Sequence, residues 1–374
     1  MKNIVISGVN LRKGGTLAIL RQCLEYLSEE ASEGHCHVTA LVHKRSLCDF
    51  PNIQYIEIPW SAKSWALRLW CEYVTMHKIS KKIEKHTGPI DLWLSMHDTT
   101  PHVKAKRQAV YCQTSFPFLK WNLKDLRFDP KIVLFALFTR LAYQINIRRN
   151  CYLIVQAEWL RSGFSKIFRL PRSKFIVAPP TSSQVIGTEA SNQQEGNERP
   201  YSFLYVSTGD RHKNFETLCQ AAMLLENELG TGRFIVNLSI DGNENRYTAW
   251  IKRKWGKVES LHFCGFMDKN SLDRHYSNDD CFVFPSRVET WGLPITEFSS
   301  YGKPMLLADL PYAHETAAGK KGIAFFPATD ATMLAEEMKR ILNGDLSHLQ
   351  DVESRPIENP TAADWHGLFN TLLN

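Results

Sequence analysis

No apolar run in this 374-residue sequence is long enough to cross a membrane. The longest notable one, Ile132 to Phe138, has seven residues and ends at Thr139-Arg140, against the ~20 that a spanning helix needs. The N-terminus, Met1-Lys-Asn-Ile-Val-Ile-Ser-Gly8, lacks the extended apolar stretch of a signal peptide and reads as a first strand. The nine cysteines are an odd number and none stand as Cys-x-x-Cys. Their placement excludes a zinc ribbon or a disulfide scaffold and fits reduced, buried thiols. The chain lacks a P-loop and the Gly-x-Gly-x-x-Gly spacing, which argues against ATP and NAD. No Asp-x-Asp or His-Glu-x-x-His pattern occurs, so no metal is expected. Acids are scarce at the front: up to Pro180 there are 13 Asp and Glu against 27 Lys and Arg, a net +14. After it the balance reverses, 26 against 18, a net −8. Such halves imply different partners, with a negatively charged one for the first.

What is present is an alternation of short β-type runs and helical patterns. Ile4 to Val9, Val38 to Val42, Ile53 to Ile58, Ile90 to Ser95, Ala109 to Cys112, Tyr152 to Val155 and Phe175 to Val177 read as strands of a front unit. Phe203 to Ser207, Phe234 to Ile240, Leu261 to Cys264, Cys281 to Pro285 and Met305 to Ala308 read as strands of a rear one. Strand–helix alternation predicts parallel sheets flanked by helices, and two such series predict two Rossmann-like domains. The boundaries expected are a front domain over 1–180, a polar linker or flexible loop over 181–200, a rear domain over 201–355 and a terminal segment over 356–374. The linker reading rests on the polar composition of Thr181 to Pro200. Trp365, Leu368, Phe369, Leu372 and Leu373 stand at helical spacing in the last segment.

The stretch Phe282-Val-Phe-Pro-Ser-Arg-Val-Glu-Thr-Trp-Gly-Leu-Pro-Ile-Thr-Glu297 concentrates the chemistry. It reads as a buried strand, a loop and a helix, with Pro294 suited to the first helical position and Gly302 to the left-handed residue past its end. Glu289 stands on the loop before the helix start and Glu297 one turn or so after it, with seven residues between them. The backbone N–H groups at Gly292 and Leu293 are placed to meet an anion. Arg211 and Lys213 directly follow the first rear strand, where open α/β sheets put their ligands, and Asn214 stands where it would cap the next helix. A solvated turn is the competing reading of that basic cluster.

Glu289-Thr-Trp-Gly-Leu-Pro-Ile-Thr-Glu297, with Tyr301-Gly-Lys-Pro-Met-Leu-Leu-Ala308 after it, resembles the signature of glycosyltransferase family 4. Phe203-Leu-Tyr-Val-Ser-Thr-Gly-Asp-Arg-His-Lys-Asn214 resembles that family's strand and basic phosphate loop. Leu261-His-Phe-Cys-Gly-Phe266 resembles the strand leading to its nucleotide base pocket. The resemblance is specific from about Phe203 to Phe326 and looser before it. It implies a retaining enzyme of the GT-B fold: two Rossmann-like α/β domains with a cleft between them and a C-terminal helix crossing back to the first. Within the family, the chain most resembles enzymes of bacterial O-antigen and capsule clusters.

The resemblance further implies roles. Glu289 would face the donor sugar or its phosphate, and Glu297 would accept hydrogen bonds from the ribose hydroxyls. Lys213 would hold the diphosphate, with Arg211 as a second cation. Thr290, Gly292, Leu293, Gly265 and Phe266 would line the donor pocket. His97 resembles a histidine that approaches the donor sugar from the first domain, although a lone histidine is more often structural. Gly14-Gly15 follows the first strand and would let backbone approach a phosphate or acceptor. Between Lys120 and Asn150, basic and aromatic residues interleave at helical spacing, which suits an anionic membrane interface or a buried helix with a charged edge.

The expected function is transfer of a hexose from a nucleotide-sugar to a polyprenyl-diphosphate-linked oligosaccharide, with no metal or other cofactor. The expected place is cytoplasmic, peripheral on the inner membrane face, with no nucleic-acid partner. The alternatives are a GT-B epimerase or phosphorylase and a non-catalytic carbohydrate-binding scaffold.

Overall fold

The computed structural model describes residues 1–180 and 199–374, so the linker expected over 181–200 lies, except for Arg199 and Pro200, outside the described residues. Thirteen strands are present among them. They are β1 Lys2–Gly8, β2 Cys36–Val42, β3 Ile53–Glu57, β4 Leu92–Ser95, β5 Arg107–Tyr111, β6 Tyr152–Val155 and β7 Phe175–Val177. The rear series is β8 Tyr201–Tyr205, β9 Phe234–Leu238, β10 Leu261–Phe263, β11 Cys281–Phe284, β12 Met305–Ala308 and β13 Ile323–Phe326. The helices are α1 Gly14–Ser32, α2 Trp65–Trp70, α3 Met76–Thr87, α4 Leu123–Phe128, α5 Pro130–Gln144 and α6 Glu158–Phe168. They continue with α7 Phe215–Leu229, α8 Arg246–Trp255, α9 Lys269–Asn278, α10 Leu293–Ser299, α11 Pro311–Thr316, α12 Ala331–Leu342 and α13 Trp365–Leu373. No helix among the described residues is long and apolar enough to cross a membrane.

The chain divides into two compact units. Unit 1 comprises Met1–Pro117, Leu137–Thr181 and Ile357–Asn374; unit 2 comprises Phe118–Ala136 and Ser182–Pro356. Each is built on one parallel sheet, of seven strands in the order β3-β2-β1-β4-β5-β6-β7 and of six in the order β10-β9-β8-β11-β12-β13. Strands covered on both faces must be apolar almost throughout, and β4 and β11 are buried at every residue. In both sheets the order reverses once, between β1 and β4 and between β8 and β11. At such a reversal neighbouring connections leave on opposite faces, which opens a crevice at the carboxyl ends of the central strands.

In unit 1, α13 lays Leu368, Phe369 and Leu372 into the same core as Leu20 and Leu24 of α1. Each is worth about 1.5–3 kcal/mol of buried side chain. Val177 at the β7 edge accepts from Ala362 N at 2.9 Å and donates to Pro360 at 3.1 Å, so the terminal segment covers that edge. In unit 2 the β13 edge is covered in the same way by Gln350, which exchanges backbone bonds with Ile323 at 2.8 and 3.0 Å.

Residues 118–136 differ from the boundary read in the sequence, which gave them to the front domain. They group with unit 2. Asp125, completely buried, accepts from Arg287 Nη2 at 2.8 Å, and Phe128 packs 5.1 Å from the Trp250 ring. A carboxylate this deep needs cations, and those cations belong to unit 2.

Candidate functional site

The crevice of unit 2 is assembled from the loops that leave β8 and β11. Backbone and side chain stitch the two loops together. Arg287 N donates to His212 O at 2.9 Å, and the Tyr205 phenol donates to Lys213 O at 2.6 Å while lying 3.1 Å from Ser286 Oγ. Asn214 takes a left-handed conformation, φ 63°, at the start of α7. The sequence suggested a helix cap, but the Asn214 side chain does not cap the helix. Its amide instead donates to Pro285 O at 2.9 Å and Ala328 O at 2.7 Å. Two buried carbonyls of neighbouring loops need a donor there, and that requirement outweighs a cap.

This stitching brings Lys213 and Glu289 together: Nζ lies 2.6 Å from Oε1, with the side chains 16% and 13% exposed. An ion pair at a crevice mouth is partly desolvated and can be opened by a competing anion, since what Glu289 supplies to Lys213 a phosphate can also supply. Gly292, φ 101°, immediately precedes α10, and a Cβ there would stand 3.2 Å from Ile295 Cδ1. The positive φ favours glycine there, and a Cβ would also make Ile295 shift slightly. Leu293 is the first residue of α10 and Pro294 the second, one position later than the sequence suggested. Thr290 is half-buried on the same loop. Glu297 is half-buried on α10 and accepts from the Tyr276 phenol at 2.9 Å. Burial raises its carboxyl above the usual range, an effect the Tyr276 bond opposes. Gly265, φ 75°, follows β10, and the next side chain, Phe266, is 91% exposed. An aromatic ring left in water beside a positive-φ glycine is a surface on which a flat ring can stack.

Arg211, expected as a second cation for the diphosphate, lies buried. Its side chain is 1% exposed, bonded to Glu216 Oε1 at 2.7 Å, 3.7 Å from Asp125 Oδ1 and stacked 5.1 Å from the Tyr247 ring centre. Two carboxylates and an aromatic face surround it, although Nε and Nη1 make no hydrogen bond among the described residues. It anchors α4 and α7 beneath the loop that carries Lys213.

His97, expected to approach the donor sugar, is also enclosed. It belongs to unit 1, at the end of β4, and is completely buried. Ser7 Oγ lies 2.8 Å from Nε2, while Nδ1 is 3.1 Å from Thr99 Oγ1 and 3.3 Å from Glu72 Oε1. A π-helical turn over Cys71–Thr75 places Glu72 in the interior, and Arg68 donates both to Glu72 at 2.9 Å and to His97 O at 2.6 Å. Glu72 can only accept, so Nδ1 carries the proton and Nε2 accepts from Ser7. Burial pushes the imidazole down to about 4, which leaves it neutral at pH 7. The order Ser–His–acid is that of a hydrolase triad, but all three side chains are sealed from solvent. Gly14, φ 68°, and Gly15 open α1 with no atom within 4 Å of a Cβ on Gly14. Among the described residues one group has metal-ligand spacing, Glu30, Glu33 and His35, on the surface at the end of α1.

Tyr205, Tyr276 and Asn214 were not singled out in the sequence as site-forming residues. Each lies one strand, helix or loop away from the residue it holds, and only Asn214, next to Lys213, had a positional signal.

Residues 188–359, a stretch somewhat under half of the chain, match the model of the family described as glycosyl transferases group 1. Over 171 residues the chain is 23% identical to an O-antigen chain mannosyltransferase B of Escherichia coli, covering 46% of this chain and 44% of that protein. The chain thus spans less than half the length of that curated relative. The lipopolysaccharide outer core galactosyltransferase WaaB is a similar solved structure, with TM-score 0.62 and 13% identity over 92% of this chain and 91% of that one. Another is the Anabaena protein HepE in complex with UDP and glucose, at TM-score 0.61 and 12% identity over 100% and 96%. Likeness at these identities shows the fold, and the fold is the one expected: two parallel-sheet Rossmann-like domains of the GT-B class.

Proposed function

We propose that this protein is a glycosyltransferase that moves a hexose from a nucleotide-sugar to a polyprenyl-diphosphate-linked saccharide, with retention at the anomeric carbon. The observation that carries the reading is the Lys213–Glu289 pair, 2.6 Å apart at the carboxyl ends of the two central strands of unit 2. Charge on the departing diphosphate grows as the glycosidic bond breaks. A cation already positioned there stabilises the transition state more than the ground state. In this reading Lys213 exchanges Glu289 for the diphosphate, and Glu289, released, orients the donor sugar. Lys213 supplies the positive charge, and no metal is part of the proposal. Glu297 accepts from the ribose hydroxyls, because a carboxylate can take two O–H donors at once. Phe266 stacks on the base. Retention follows if the acceptor hydroxyl attacks on the face the diphosphate leaves.

The saccharide acceptor is supported by the likeness to the O-antigen mannosyltransferase. The excess of basic residues before Pro180 supports reversible contact with the anionic inner face of a membrane, where such an acceptor resides. The test is nucleotide release from UDP-, GDP- and dTDP-sugars with and without a polyprenyl-diphosphate-linked saccharide. Acceptor-dependent release is expected. Nucleotide released equally without acceptor would mean that water takes the glycosyl group, as in a hydrolysing sugar-nucleotide epimerase; turnover that requires added inorganic phosphate would make the protein a phosphorylase, and binding without turnover a scaffold.

A further inference from the structure

Unit 1 carries a second concave feature that the transfer reaction does not use. A cavity of about 510 Å³ is lined by Arg140 of α5, Asn146, Arg148 and Arg149 in the turn after it, and Arg169 just past α6. None of the described residues lining it is acidic. Several other arginines of unit 1 are matched with acids: Arg68 with Glu72, and Arg161 and Arg172 with Glu158. The four cavity arginines have no ion-pair partner among the described residues.

The backbone there is also unusual. Asn146, φ 60°, and Arg169, φ 52°, are two of the five described non-glycine residues with positive φ. Glycine is the ordinary occupant of that conformation at a helix end. An arginine kept there is strained, and an outlier of this kind points from structure to function. Beside the cavity, α5 and the turn after it leave Leu137, Phe138, Leu141 and Ile145 between 46% and 59% exposed. Their spacing puts them on one helix face.

A free phosphate would use the arginines and leave the apolar face in water. A protein helix would cover the apolar face and leave four like charges unmatched. An anionic phospholipid surface satisfies both, with acyl chains and phosphates side by side. We propose that this face of unit 1 docks on an anionic phospholipid bilayer, with Phe138 and its apolar neighbours at the headgroup–acyl boundary and a lipid phosphate in the Arg140–Arg148–Arg149–Arg169 cavity. The proposal rests on the membrane-contact part of the function proposed above and assigns it a site.

The experiment is flotation of the full chain, without nucleotide, on phosphatidylglycerol-containing vesicles and on phosphatidylcholine alone, at low and high salt. The wild type floats only on the anionic vesicles, and less at high salt. Arg148→Ala/Arg149→Ala lowers the vesicle affinity by about 25-fold, from about 5-fold for each arginine near an anionic surface. Arg148→Lys/Arg149→Lys retains most of the binding, which separates lost charge from a lost fold. Lys81→Ala/Lys82→Ala removes the same charge from the exposed side of α3 and leaves binding nearly unchanged. Phe138→Ser weakens it while the charge is untouched. An equal loss in the lysine control, or none in the arginine pair, overturns the assigned site and leaves general membrane contact standing. Equal flotation on neutral vesicles, or none on either, overturns both, while acceptor-dependent nucleotide release would still support sugar transfer.

Discussion

The sheet of unit 1 reverses its strand order between β1 and β4, and the sheet of unit 2 between β8 and β11. The two crevices are filled in opposite ways. In unit 1 the position holds Ser7, His97, Glu72 and Arg68, closed over one another, with His97 neutral. In unit 2 it holds one lysine–glutamate pair at the surface, flanked by a positive-φ glycine and a short helix. Topology alone therefore does not make a ligand site. What differs is the supporting layer. Unit 2 pairs its buried charges one layer down, through Arg211, Asp125, Glu216 and Arg287, apart from Lys213 and Glu289, which pair with each other. Unit 1 spends its polar groups on each other within the crevice itself.

The comparison breaks most readily at the supporting layer. Arg211→Ala leaves Asp125 and Glu216 short of a buried cation and is expected to cost about 3–5 kcal/mol of stability, read by denaturant unfolding. A mutant that unfolds like the wild type would mean that Arg211 is not the support described. Lys213→Ala acts on function instead. The fold should survive and turnover should fall by about 10²–10³, by analogy with the loss of one oxyanion donor. Wild-type turnover in that mutant would reduce Lys213 to a surface residue.

The acid behaviour of unit 1 sharpens the contrast. His97 is lowered to about 4 by burial, so its contribution to stability is lost as pH falls from about 6.5 to about 4. Asp98, at φ 70° beside it, is raised to about 6 by burial, and its contribution is lost as pH rises through that value. The two slopes oppose each other across nearly the same window, with Arg68 facing both groups. Asp98→Asn should remove the offset and expose the His97 term, up to about 3 kcal/mol between pH 6.5 and 4. Unfolding curves at a series of pH values decide it, and a mutant as flat as the wild type would show that His97 is not buried neutral. The smallest expected effect is Glu297→Gln. The amide keeps an acceptor for Tyr276 but weakens the ribose contacts, so nucleotide affinity should drop by roughly tenfold in calorimetric titration, with the melting temperature nearly unchanged.

How far the sequence reaches depends on how local the chemistry is. Runs read as strands are strands, with ends shifted by a few residues. Among the described strands only β13, four residues between Gly322 and Pro327, was not among those runs. The loop and helix from Glu289 to Glu297 were legible because glycine, proline and the acids act within one turn of each other. The burial of Arg211 was not legible because, beyond Glu216 in the next helix, its surroundings come from elsewhere: Asp125 from a segment far upstream and Tyr247 from α8. The enclosure of His97 was hidden for the same reason, since a π-helical turn delivers Glu72 and β1 delivers Ser7. A basic cluster and a lone histidine look alike in sequence whether they are solvated, buried or poised for a ligand.

We expect the nucleotide diphosphate in the β8–β11 crevice and not in the β1–β4 one. Backbone hydrogen exchange of the wild type with and without UDP, GDP or dTDP tests it directly. With at least one of them, exchange should slow over Ser207 to Asn214 and Val288 to Glu297 and stay unchanged over Met96 to Thr99. Protection confined to Met96 to Thr99, or none in the unit 2 loops with any of the three, would contradict the account.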